Sequence, residues 1–108
     1  MALDDLDPDA LYHLATVEEW ADYQQDGSID PSSLEHEGFV HCSWGRQVPG
    51  TVTKHFADTP GLLALQIDPS LLADVVLVEE DSYASGQAFP HAYGPIPAHA
   101  VTGTVPVT

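Results

Sequence analysis

Positive charge is almost missing from this sequence. One lysine, Lys54, and one arginine, Arg46, stand against seventeen acidic residues, for a formal charge of −15 over 108 residues. Such a chain repels phosphate backbones and has few cations with which to release counterions. That excludes sequence-independent nucleic-acid binding and docking on anionic membranes. The acids are scattered rather than massed in a tail. They read as a solvated surface that favours solubility, or as adaptation to a salty cytoplasm that screens their repulsion. An acidic docking face for a basic partner is the other reading. Cysteine is nearly absent as well, and Cys42 alone excludes an internal disulfide. Long apolar runs are lacking: Val75-Val76-Leu77-Val78 is strand-sized, far short of the roughly 20 residues a membrane helix needs. Residues 1–9 carry four Asp and no positive charge, unlike a signal peptide, so the cytoplasm is the expected location.

What is present suffices for one core. Hydrophobic residues make up 44 % of the chain, ordinary for a globular domain and too many for a disordered one. The expected organisation is an acidic, frayed leader over residues 1–9 and a single domain over residues 10–108. Residues 10–15 read as a first strand. Thr16-Val17-Glu18-Glu19 is a capping box, and Val17, Trp20, Ala21 and Gln24 form one helical stripe that ends at Asp26-Gly27. A short helical turn follows Asp30-Pro31 and closes at Gly38. Phe39-Val40-His41-Cys42 is a second strand. Ser43 is placed to cap a helix broken near Pro49-Gly50 and resumed through Phe56. Residues 62–67 and 75–80 are the strongest strands, joined through the turn Asp68-Pro69-Ser70, and residues 100–107 form the last. Residues 81–97, rich in proline and glycine, read as a long loop with its own packing. The expected fold is α+β, with a mixed or antiparallel sheet of about five strands and about two to three short helices.

Six histidines are many for this length. His13, His41 and His91 lie in the most patterned segments, whereas His36, His55 and His99 sit among polar neighbours and read as surface residues. On a strand of period two, Phe39, His41 and Ser43 share one face, and Val40 and Cys42 take the other. An imidazole among apolar neighbours must be partnered or reach a cleft. Each of the three alone reads as a satisfied structural histidine; together they point to a shared site for a small-molecule ligand. Cys42 beside His41 is not a nucleophile–base pair, because adjacent strand residues diverge, and it reads as a small core residue. Trp20 is expected in the core, and Trp44 is placed to wall a pocket. The three imidazoles are also enough for a zinc site with one open position, although neither His-x-x-x-His nor His-x-His occurs. No feature sets an oligomeric state.

Four blocks in order carry a family resemblance. They are Tyr12-His13-Leu14-Ala15-Thr16 with Trp20, Gly38-Phe39-Val40-His41-Cys42-Ser43 with Gln47-Val48-Pro49, Leu65-Gln66-Ile67-Asp68-Pro69, and Phe89-Pro90-His91-Ala92-Tyr93-Gly94-Pro95-Ile96-Pro97. Together they resemble the DUF952 family across nearly the whole chain, and more remotely the ADP-ribosyltransferase fold. The second resemblance implies an NAD-utilising enzyme. His13 and Thr16 look like that fold's first motif, whose histidine holds the ribose of NAD. His41 and Ser43 look like the second, which walls the nicotinamide pocket. Arg46 and Ser43, with the amides that follow, would receive the pyrophosphate. Phe89 and Tyr93 would shape the pocket mouth, and His91 would serve as general acid/base in a catalytic set with His41 and His13.

One departure from that pattern has a size. The third motif usually supplies a glutamate late in the chain, and here the position falls near His91. Breaking the nicotinamide–ribose bond develops positive charge on the sugar. A carboxylate at ~4 Å in an effective dielectric of ~20 stabilises that charge by about 4 kcal/mol, about a thousandfold in rate. Neutral imidazole does not. Either Glu79 or Glu80 stands in, or another reaction is run, or the pocket only binds a nucleotide or other small metabolite. The related RNA 2′-phosphotransferases hold RNA with basic residues, and their lack here argues against an RNA substrate.

Overall fold

Strands dominate, and they pair in three separate sheets rather than one. The computed structural model describes residues 5–81 and 84–108. Within them β1 (Leu11–Thr16), β4 (Ser43–Trp44), β5 (Leu62–Ile67) and β9 (Val101–Pro106) form a four-stranded sheet in the order β4-β1-β5-β9. A two-stranded sheet joins β2 (Ser28–Ile29) to β8 (Ile96–Pro97). A three-stranded sheet has the order β3-β7-β6, built from β3 (Val40–His41), β6 (Val76–Glu80) and β7 (Phe89–Tyr93). Every pairing is antiparallel. The helices are α1 (Val17–Asp26), α2 (Ser32–Glu37) and α3 (Val48–His55). The α+β class stands; the single sheet of about five strands does not. No helix among the described residues is long and apolar enough to cross a membrane.

The four-stranded sheet has a core on each face. Leu11 and Ala15 of β1 pack on one side with Leu65 and Ile67, while Tyr12 and Leu14 pack on the other with Leu62, Ala64, Val48 and Val52 of α3. Two buried faces are why β1 and β5 read as nearly continuous apolar runs. The capping box forms as expected. The Thr16 hydroxyl accepts from the Glu19 N–H at 3.1 Å, and the Glu19 carboxylate accepts from the Thr16 N–H at 2.8 Å.

The expected second strand divides at Cys42. Val40 and His41 pair with Ala92 and His91, whereas Ser43 and Trp44 pair with Tyr12 and Leu11 in the other sheet. The cause is Pro90. Its carbonyl accepts from the Cys42 N–H at 3.0 Å, but the reciprocal bond needs an N–H that proline lacks, and the ladder stops there.

Four further expectations are corrected. Residues 89–93, expected in a loop, are the central strand of the three-stranded sheet, because Pro90 loses only that one bond. Pro49 starts helix α3 instead of breaking it, after a 3-10 turn over Gly45–Gln47. Ser43 does not cap this helix; the Gln47 side chain accepts from the Trp44 N–H at 3.0 Å. Finally, the described part of the leader is tied down. Leu6 packs on the α3 core, the Asp7 N–H donates to the Tyr12 hydroxyl at 2.9 Å, and the Arg46 N–H donates to the Pro8 carbonyl at 3.2 Å.

Candidate functional site

The strand that divides at Cys42 places its two halves on the walls of one cavity of about 540 Å³. That is an ordinary size for a small-molecule site. His13, His41 and His91 all line it, from β1, β3 and β7. The register explains two of them. His41 lies opposite His91 across the β3–β7 ladder, so both side chains leave the same face of the sheet, at 5.3 Å between ring centroids and nearly perpendicular. Phe39 backs them, stacked on His91 at 3.9 Å and edge-on to His41 at 4.8 Å.

His13 comes from the other sheet. Its Nδ1 lies 2.6 Å from the His41 carbonyl oxygen, and since a carbonyl only accepts, Nδ1 carries the proton. Burial holds this imidazole below its ordinary pKa of 6.5, against the opposing pull of that bond and of Glu19. His13 is therefore neutral near pH 7, with Nε2 left as an acceptor. The bond also joins the two sheets at the cavity.

Glu80 supplies the site's carboxylate. It ends β6 on the same face as Val78, whose register partner is His91. Its Oε1 accepts from His91 Nδ1 at 2.9 Å and from the Tyr93 hydroxyl. The Tyr93 bond first, then the His91 bond, holds Glu80 below the ordinary carboxylate range, and Tyr93 is raised in return. Glu79, one residue earlier, points to the opposite face and accepts from the Trp44 indole N–H at 2.8 Å. Of the two glutamates considered from the sequence, only Glu80 reaches the cavity.

The remaining sequence-selected residues divide. Ser43, Arg46 and Phe89 line the cavity. Thr16 does not: its hydroxyl is used by the helix cap. Tyr93 is 40 % exposed and touches the site through Glu80 and Phe39 (5.5 Å between rings) without lining the cavity. Trp44 packs against the core and walls a second, smaller cavity, not this one. Cys42 is buried in the core, and burial pushes its thiol up to about 12, so it is no nucleophile. Among the described residues no three His, Cys, Asp or Glu side chains are grouped so as to hold a metal. His13 bonds to a carbonyl, His91 to Glu80, and His41 Nε2 to Glu37 at 2.9 Å.

The sequence led to a helix here but not to the place of α3 on the cavity wall. Gln47, Gly50, Thr51, Lys54 and His55 line the cavity, and their spacing of three and four residues is a helical stripe. It lies beside the apolar stripe Val48, Val52, Phe56 that faces the core. The signal was present in the sequence, but the expected break at Pro49-Gly50 hid it. Gln47 also fixes the opposite wall, donating to the Ala88 carbonyl at 2.8 Å just before β7.

Comparison with known proteins agrees with this architecture. The crystal structure of protein CC0527 from Caulobacter crescentus is 27 % identical, over 91 % of this chain and 85 % of that one, with a TM-score of 0.78. The solution NMR structure of the same protein is 26 % identical, over 90 % of each chain, with a TM-score of 0.66. No curated protein matches. The family model described as a protein of unknown function, DUF952, matches residues 14–104. With its strand blocks, its two-sheet cavity and this match over most of its length, the chain belongs to the DUF952 family.

Proposed function

We propose that this chain is an enzyme of the ADP-ribosyltransferase type, acting on the nicotinamide–ribose bond of NAD with a small acceptor. The observation that carries the reading is Glu80, a carboxylate lining the cavity and bonded to the His91 imidazole. It answers the one departure from the enzyme pattern, the late glutamate replaced by His91. Two donors keep Glu80 ionised, so it presents negative charge where the sugar develops positive charge.

The bond between C1′ and the nicotinamide nitrogen breaks, and nicotinamide leaves with the electron pair. An acceptor oxygen bonds to C1′ and gives up its proton. His91 suits that proton: with Nδ1–H donated to Glu80, its Nε2 is the accepting nitrogen. His13, neutral and with Nε2 free to accept, suits a ribose hydroxyl. His41, Ser43 and Phe89 would enclose the base.

Calorimetry with NAD, ADP-ribose and nicotinamide tests binding, and release of nicotinamide tests turnover. Glu80→Gln should lower turnover about a thousandfold and leave NAD affinity nearly unchanged. No heat with any of the three at millimolar concentration would end the reading. A second reading, a binding module without turnover, is favoured by the sealing of His91, which is 1 % exposed and stacked on Phe39. Intact NAD after long incubation, with normal binding by His91→Ala, would select it.

A further inference from the structure

The two cations of this chain lie on one wall. Arg46 and Lys54, its only arginine and lysine, both line the cavity. Of the carboxylates in the described residues only Glu80 does so. In a chain of charge −15 an even scatter would put acids there, not both bases. Between the two cations, four residues from each, lies Gly50, which also lines the cavity. A glycine inside a helix costs up to about 1 kcal/mol relative to alanine. Nothing in the fold demands this one: a Cβ on Gly50 would meet no atom within 4 Å. The space over Gly50 is open toward the cavity and flanked by positive charge. Lys54 and His55 also sit in the last turn of α3, where the helix dipole favours cations. That accounts for a base in this turn, not for Arg46 one turn before the helix or for the glycine between.

We propose that the row Arg46–Gly50–Lys54 is a seat for a diphosphate, with the phosphates lying across Gly50 and one cation at each end. The ligand class is then a diphosphate-bearing nucleotide rather than a neutral nucleoside or a free base. Arg46 presents a planar fork to one phosphate, and Lys54 a compact charge to the other. Asp9, the present neighbour of Arg46 at 4.0 Å, is almost fully exposed and is displaced by the incoming anion. The seat rests on the reading of this cavity as a ligand site but not on any reaction there, and it lies on a different wall from Glu80 and His91.

Calorimetry of the full chain with inorganic pyrophosphate, ADP-ribose and nicotinamide provides the test. Pyrophosphate and ADP-ribose should bind. Arg46→Gln and Lys54→Gln should each weaken both by about tenfold and leave nicotinamide unaffected. Gly50→Leu should keep the fold, read by circular dichroism and melting, and lose ADP-ribose. Glu80→Gln and His91→Ala should retain pyrophosphate. The seat is overturned if neither phosphate ligand binds, or if the Arg46→Gln/Lys54→Gln double variant binds ADP-ribose like wild type. ADP-ribose binding that depends on both cations, with NAD never cleaved, keeps the seat and removes the proposed reaction. NAD cleavage with an unchanged KM in the double variant does the reverse.

Discussion

His13 carries one proton-linked contribution to stability whose sign follows from burial. Its folded pKa lies below the unfolded value of 6.5. Above that value both states are neutral and the contribution is fully present. As the pH falls through 6.5 the unfolded chain takes up a proton that the folded chain refuses, so stability is lost. The melting temperature should therefore drop between about pH 7 and about pH 5, before the ordinary carboxylates titrate. His13→Gln, which keeps a donor for the His41 carbonyl, should flatten that segment of the curve. An unchanged slope would assign it to other groups. Glu80 offers a second residue-level test. Its strongest partner is the Tyr93 hydroxyl, so Tyr93→Phe should raise the Glu80 titration toward the ordinary carboxylate value. Carboxyl-detected NMR reads that shift directly, and His91→Ala should move it less.

At the scale of elements, the cap of α1 and the close approach of the leader to Gly45 make different predictions. Thr16 is the N-cap of α1 and its hydroxyl is fully engaged. Thr16→Ala should cost about 1 kcal/mol of stability in denaturant unfolding and leave the binding of any ligand unaltered. A loss of binding at unchanged stability would return Thr16 to the site. Gly45 is required by the leader: a Cβ there would collide with the Asp7 carbonyl. Gly45→Ala should release the leader, destabilise the fold by about 1–3 kcal/mol, and open residues 5–9 to proteolysis.

The elements also show what the sequence could and could not reveal. The capping box of α1, the apolar run of β5 and the core role of Cys42 depend on neighbours in sequence, and local pattern was enough. The convergence of His13, His41 and His91 was legible too, because a polar ring in an apolar strand needs a partner or a cleft. Strand β7 was not, because Pro90 and the glycines around it argue locally for a loop, and only the tertiary ladders outweigh them. The cationic wall escaped for a related reason. A proline read as a helix break cut the stripe from Gln47 to His55 in two, and the role of Lys54 depends on which way α3 faces.

For the whole molecule the governing quantity is −15 charges on a body 33 × 32 × 25 Å across. Mutual repulsion should lower stability most at low ionic strength. It should fade as the Debye length contracts from about 30 Å at 0.01 M salt to about 8 Å at 0.15 M. The melting temperature should therefore rise over that interval and then level off. A rise that continues into molar salt would instead report strengthened apolar burial. The same contraction acts on an anion entering the cavity, with two opposing effects. The distant acids repel it over lengths that salt screens early, and adding salt removes that barrier. Arg46 and Lys54 attract it at contact, and this is weakened only once screening reaches a few ångströms, at about 1 M. Pyrophosphate affinity should accordingly pass through a maximum as salt increases, between about 0.1 M, where the Debye length is about 10 Å, and about 1 M, where it is about 3 Å. A monotonic fall from the lowest salt would mean that the acidic surface is not felt inside the cavity. A monotonic rise would mean that the two cations never outweigh it.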